Sequence, residues 1–299
     1  MPFRSLGAQS QKLWVALVWC AGLCGVILSS DTLAHSADQR ASLTPETARR
    51  LLFDYLRTGR MADAAARGQE FVEQWPQDPE LHHLLGIAYF KTQRHTLAIK
   101  ELQKAESLDQ SDPDFPFDLA LVYLDQNQYA PAAGELEKAT KLSPRNALAH
   151  VLLGRAYQNS NRTLQAIEQF KAALAADPNI ALGHYHLGFA YASLGRNSEA
   201  IAEYRKEVAR SPDNPAVLYQ LGRLLLESGD LDSARGYLQK ATDADPQNAD
   251  AFYDLGKALL SKGDANSAIS ALTHAASLKP NDPSPHFQLA RAFERLGRR

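Results

Sequence analysis

The side chains best equipped for chemistry are nine histidines, two cysteines and the Asp and Glu carboxylates, and none of them forms a reactive constellation. His82 and His83 are adjacent, and His184 and His186 are two apart. Residues at those spacings do not share a helix face, so they do not converge on a metal from one helix. His82, His150, His184 and His286 instead recur at one packing position and read as structural. No phosphate-binding glycine loop, G-x-S-x-G or H-E-x-x-H occurs, and the carboxylates are scattered as on solvated faces. Cys20 and Cys24 lie together in an apolar run near the N-terminus, so no disulfide staples the remainder. A net charge of -2 makes no case for nucleic acid or an anionic membrane surface as partner. The expectation is a chain that is not an enzyme, with no catalytic, cofactor-binding or metal-binding residues and no cofactor. Its function must then lie in the surface that its elements present.

Those elements recur at a fixed interval. Between Ala149 and Asn179 the chain reads AHVLLGRAYQNSNRTLQAIEQFKAALAADPN. A step of 34 residues returns the same chemistry without insertion. Gly154 becomes Gly188, Gly222 and Gly256 going forward, and Ala120 and Gly86 going back. Ala166 matches Ala64, Ala98, Ala132, Ala200, Ala234 and Ala268, and Pro178 matches Pro144, Pro212, Pro246 and Pro280. A period of this size indicates a solenoid, which grows by adding neighbours rather than by splitting into globular domains. Units begin at 45, 79, 113, 147, 181, 215 and 249, and a single helix follows at 283–299.

Each unit has the apolar spacing of two helices. Leu187, Ala190, Tyr191 and Leu194 fall on one face, and Ala200, Ile201, Tyr204 and Val208 on another. Between them Gly195 stands where a helix stops at positive φ; Gly229, Gly263 and Gly297 recur there, with Asn127 and Asn161 as substitutes. Asp78-Pro79, Asp112-Pro113, Asn214-Pro215 and Asp282-Pro283 place a capping side chain before a proline at the first helical position, and Pro131 is expected to open a second helix. The unit is a helical hairpin, and small residues at the Gly154 and Ala166 positions let its helices approach closely.

These residues resemble the tetratricopeptide repeat, W-x2-L-G-x2-Y followed by A-x3-F, A and P. The resemblance runs from Pro45 to Arg299, with departures. The tryptophan position holds His82, Pro116, His150, His184, Leu218, Phe252 and His286; Glu207 replaces a small residue and Gln110 the terminal proline. The first unit, with Leu52 for glycine and Gly68 for an aromatic, reads as an N-terminal cap. The last helix leaves Leu289, Phe293 and Leu296 short of cover, so it is either a solvating cap or a docking point. The fold implied is all-α: a right-handed α-solenoid of stacked antiparallel helix pairs, with the first helices lining a concave groove.

The resemblance places positions two, five, nine and twelve of each unit in that groove. The fifth gives Phe117, Tyr185, Tyr219, Tyr253 and Phe287, together with His83 and Val151. The ninth gives Arg155, Phe189, Arg223, Lys257 and Arg291, together with Ile87 and Leu121. Aromatic and arginine side chains are frequent binding anchors, so an extended or helical peptide bearing acidic residues suits the C-terminal half. Glu80, Asp114, Asp118 and Asp125 suggest opposite polarity at the other end. Against this, Asp254 precedes Lys257 by three and Glu227 follows Arg223 by four, spacings that neutralise locally; only Arg155 lacks a helical partner. The lysine and asparagine set of chaperone-tail receptors does not occur at these positions.

Residues 1–12 carry Arg4 and Lys12 and no acid, and Leu13–Ser30 is uncharged. This is the pattern of an export signal in residues 1–34, with Ala34-His35-Ser36 the best small-x-small site. An uncleaved anchor through residues 13–30 is the competing reading. Trp19 and Leu23, which precede the cysteines, disfavour lipoprotein processing. Residues 35–44 read as a linker. Either way the repeats are expected outside the cytoplasm, periplasmic or secreted, as Arg4 and Lys12 stay inside. The functional expectation is a scaffold that binds a protein or peptide partner in its groove. The alternatives are a non-catalytic accessory arm of an enzyme complex, such as a glycosyltransferase or protease, and a self-assembling module.

Overall fold

The computed structural model describes residues 43–297; the expected export signal or anchor and most of the linker lie outside them. The unit Pro45–Arg299 holds fifteen helices among the described residues. They are α1 Pro45–Arg57, α2 Met61–Gln74, α3 Pro79–Lys91, α4 His95–Leu108, α5 Asp114–Asp125, α6 Tyr129–Leu142, α7 Ala147–Asn159 and α8 Thr163–Ala176. There follow α9 Gly183–Ser193, α10 Asn197–Arg210, α11 Pro215–Glu227, α12 Leu231–Ala244, α13 Ala249–Ser261, α14 Ala265–Leu278 and α15 Pro283–Arg295. Each odd helix packs on the even helix after it, and each even helix on the next odd one. Odd helices of neighbouring units also touch, as α1 does α3, α7 does α9, and α11 does α13. Consecutive even helices show no comparable packing among the described residues. The odd helices therefore form the inner, concave wall.

The hairpin seam rests on one small residue facing one large one. A Cβ on Gly154 would stand 2.5 Å from Phe170, on Gly222 2.7 Å from Leu238, and on Gly256 2.5 Å from Leu272. The first unit keeps this complementarity with the sizes exchanged. Leu52 is fully buried, and a Cβ on Gly68 would stand 3.0 Å from Leu85 and 3.5 Å from Leu52. Its departure from the pattern is a compensated swap.

The hairpin turns all need a left-handed residue. Asn127, Asn161, Gly195, Gly229 and Gly263 supply it, and so do Gly59 and Gln93 (φ 62), while Gly297 takes the same conformation after α15. Gln93 is the position at which residue type alone gave no sign. Asp78, Asn214 and Asp282 cap as expected, and Asn146 and Asn248 cap as well. Asp112 accepts from the Asp114 N–H (2.9 Å), so α5 starts one residue beyond Pro113. Pro131 stands third in α6 rather than first, still within the turn whose N–H groups have no helical acceptor.

One unit breaks the rule. Its cap position holds Ile180, whose side chain accepts no hydrogen bond, and α9 begins only at Gly183 after Leu182 in the left-handed region (φ 59). The second departure in that unit answers the first. Glu207, on α10 and only 3 % exposed, accepts from the Tyr185 N–H in the first turn of α9 (3.3 Å). A carboxylate there satisfies an orphan donor and opposes the positive end of the helix dipole. Glu207→Ala is expected to cost roughly 1 kcal/mol, and Ile180→Asn should recover most of it in the Glu207→Ala background but little in wild type. A double-mutant cycle by urea denaturation checks this; additive effects would refute the link. Gly222→Leu, forced against Leu238, should destabilise by about 1–3 kcal/mol or more, and an unchanged cooperative melt would contradict it.

Candidate functional site

The groove wall is built from the exposed edges of the odd helices. Phe117, Tyr185, Phe189, Tyr219, Arg223, Tyr253 and Lys257 are partly buried there, while Arg155, Phe287 and Arg291 are exposed. Tyr185 lies 6.4 Å from Phe189 and 5.9 Å from Tyr204, centroid to centroid. These rings make one aromatic surface on α9, closed beneath by α10.

The basic row is mostly quenched. Arg223 pairs with Glu227 (2.8 Å) and donates to Gln220, and Lys257 pairs with Asp254 (3.2 Å) while lying 5.2 Å over the Tyr253 ring. Asp254 is 6 % exposed, also accepts from the Tyr219 hydroxyl (3.4 Å), and has its pKa raised, chiefly by desolvation. Arg291 donates to the neutral Gln288 (3.1 Å). The acidic half is also partly answered: His83 meets Asp118 at 2.7 Å and His95 meets Asp125 at 2.9 Å. Asp114 has a raised pKa, first from desolvation and then from Asp112 and Asp118. The expected two-pole groove is thus reduced to a few uncompensated groups.

Arg155 is the main one. Its guanidinium has no hydrogen bond or ion pair among the described residues, and desolvation lowers its pKa. One turn on, the Gln158 Nε2 is buried without an acceptor, and the Tyr204 hydroxyl is likewise unpartnered. His186 stacks on Phe170 (5.4 Å, 16°) and lies edge-on to Tyr185 (5.5 Å). Its pKa is pushed down to about 3, first by desolvation and second by the Arg155 charge, so the ring is neutral near pH 7. Reading positions five and nine missed His186 and Gln158. A signal existed for Gln158, which stands at position twelve where neighbouring units carry Phe90, Leu124, Leu226 and Leu260.

His82, His150, His184 and His274 are struts. His82 Nδ1 faces Glu101 (2.6 Å) and its Nε2–H donates to the Pro76 carbonyl (3.2 Å). His150 bridges Gln169 (2.8 Å) and the Pro144 carbonyl (3.0 Å) in the same way, and His184 faces Glu203 (2.7 Å). Where the tryptophan position holds Phe252 instead, His274 packs on that ring (4.2 Å) and takes the Pro246 carbonyl (3.2 Å). His82 and His150 therefore tie the two helices of their units to the preceding loop. Among the described residues, no group of three or more His, Cys, Asp and Glu side chains is arranged to hold a metal ion.

Matches to the tetratricopeptide repeat family model cover residues 54–113, 117–163, 151–215 and 219–284, most of the chain, and the protein belongs to that family. No curated protein sequence matches it. Among solved structures, YrrB, a tetratricopeptide repeat protein with an unusual peptide-binding site, is 24% identical over 64% of this chain and 97% of its own, with a TM-score of 0.55. The C-terminal part of a repeat protein from Cytophaga hutchinsonii superposes with a TM-score of 0.66 at 14% identity, over 81% of this chain and 99% of its own. The Cut9–Hcn1 hetero-tetramer of the APC/C is matched with a TM-score of 0.55 at 16% identity, over 85% of this chain and 50% of the matched one. At these identities the likeness is one of fold.

The depressed pKa of His186 makes acid stability its readout. Between its unfolded value of 6.5 and about 3 the folded state binds fewer protons than the unfolded one, so stability is lost as pH falls through that window. A His186→Phe variant is expected to gain on wild type in thermal midpoint as pH drops from about 7 to 4. A constant difference across those pH values would contradict a neutral, desolvated ring.

Proposed function

We propose that this protein is a non-catalytic scaffold whose odd-helix groove holds a peptide or protein partner outside the cytoplasm. The observation that carries the reading is the partly exposed aromatic row Tyr185, Phe189, Tyr219 and Tyr253 on the concave wall. Aromatic side chains held half-open by a rigid support are typical anchors for a partner's apolar side chains. Family membership supports a scaffold, and the peptide-binding site described for YrrB supports a peptide as the occupant. Placement outside the cytoplasm, by a cleaved signal or by an anchor through residues 13–30, is supported by the basic start and the uncharged run from Leu13 to Ser30.

The test is affinity capture from the exported fraction, with the wild-type chain and a Tyr185→Ala, Tyr219→Ala, Tyr253→Ala variant as baits. A partner held by wild type and lost by a variant with an unchanged helical spectrum supports the groove; retention by both moves the site to the outer face or to α15. Intact mass decides the address. A chain beginning after Ser36 supports cleavage, and one beginning at Met1 in the membrane fraction supports an anchor. A full-length chain in the cytosol overturns both.

A further inference from the structure

We propose that Arg155 is the anion anchor of the groove and takes the side-chain carboxylate of an aspartate or glutamate within an extended peptide, with the Gln158 amide as second donor. The proposal rests on the groove reading above and names the chemistry of one subsite within it.

Four observations converge on this place. Arg155 is the one groove arginine or lysine of the basic row with no hydrogen-bond partner among the described residues, whereas Arg223, Lys257 and Arg291 all donate to side chains on their own helices. Its exposed side chain meets no protein acceptor, so the N–H donors of the guanidinium are free for a ligand that supplies oxygens. The Gln158 Nε2 is a buried donor with no acceptor, one helical turn along the same face. The neighbouring imidazole of His186 stays uncharged and stacked on Phe170, so it adds a flat wall without adding charge. The site therefore offers one positive charge and one amide, which matches a singly charged carboxylate better than a dianionic phosphate.

The groove continues on both sides of the anchor. Phe117 lies in the preceding unit, and Tyr185 and Phe189 in the following one. A chain laid along it passes through the Arg155 position rather than ending there. An internal side chain is thus favoured over a C-terminal carboxylate, with apolar residues two or so positions away to meet the rings.

The probes are degenerate nine-residue fluorescent peptides with leucine or phenylalanine two residues to either side of the centre. One pool has central glutamate and an amidated C-terminus, a second central glutamine and an amidated C-terminus, and a third central glutamine and a free C-terminus. Binding to the full chain is followed by fluorescence anisotropy. The glutamate pool should bind roughly tenfold or more tighter than the amidated glutamine pool, as expected for a charge-assisted hydrogen bond. In Arg155→Gln that ratio should fall to about one, while in Arg291→Gln it should remain. Arg155→Lys should retain part of it, which separates lost charge from lost packing. Equal binding of the glutamate and amidated glutamine pools, or a preference that survives Arg155→Gln, overturns the anchor and leaves the groove reading standing. Tighter binding of the free-acid pool overturns the side-chain assignment. Absence of binding by every pool overturns the peptide-groove reading and the anchor with it.

Discussion

Everything in this array depends on how closely the two helices of a unit approach. That distance is set where a residue with no Cβ, or only a methyl, meets a large side chain across the seam, as Gly154 meets Phe170 and Gly256 meets Leu272. The requirement concerns summed volume rather than the identity of either partner. Two variations make the point. Ala120 is fully buried opposite the fully buried Leu136, and the first unit places the large residue, Leu52, where other units have the small one. Close approach brings the odd helices into a continuous wall, the surface proposed to hold a partner.

The unit beginning at 181 shows how a repeat tolerates loss of a local signal. Ile180 cannot cap, so α9 starts late and its first turn lacks a side-chain acceptor nearby in sequence. The buried carboxylate of Glu207 supplies one across the hairpin. A buried carboxylate with no such partner would be strongly destabilising, and a helix end without an acceptor would fray. Each departure makes the other acceptable. The same unit also carries Tyr185, His186 and Phe189, so the irregular start of α9 sits beside the least compensated part of the groove.

Electrostatics then refines what shape alone offers. A row of basic residues at position nine reads as a cationic stripe, but Arg223 and Lys257 spend their charge on Glu227 and Asp254. Such pairs on half-exposed helices add little stability, yet they remove the charge from a partner's view. What remains is a mostly neutral aromatic surface on which, among the described residues, the guanidiniums of Arg155 and Arg291 face no carboxylate. Specificity in such a groove comes from a few placed polar groups within apolar area.

The sequence by itself determined the period, the units, their hairpins and nearly all of their boundaries. It could do so because the signals are local and repeated: a capping Asp or Asn, a left-handed Gly or Asn, and small residues at fixed spacing. Where a local signal was absent the reading weakened, as at Gln93, held left-handed by the hairpin around it, and at Ile180. Pairings within one helix, such as Asp254 with Lys257, were also legible from spacing. Tertiary structure alone decided the contacts that join different helices and different units. The bond between Tyr219 and Asp254 spans 35 residues, and that from the Tyr185 N–H to Glu207 spans 22. The desolvation of His186 is of the same kind, because it depends on which neighbours exclude water. A repeat pattern specifies the address of each side chain in the stack, and only the assembled stack decides which of them remain without a partner.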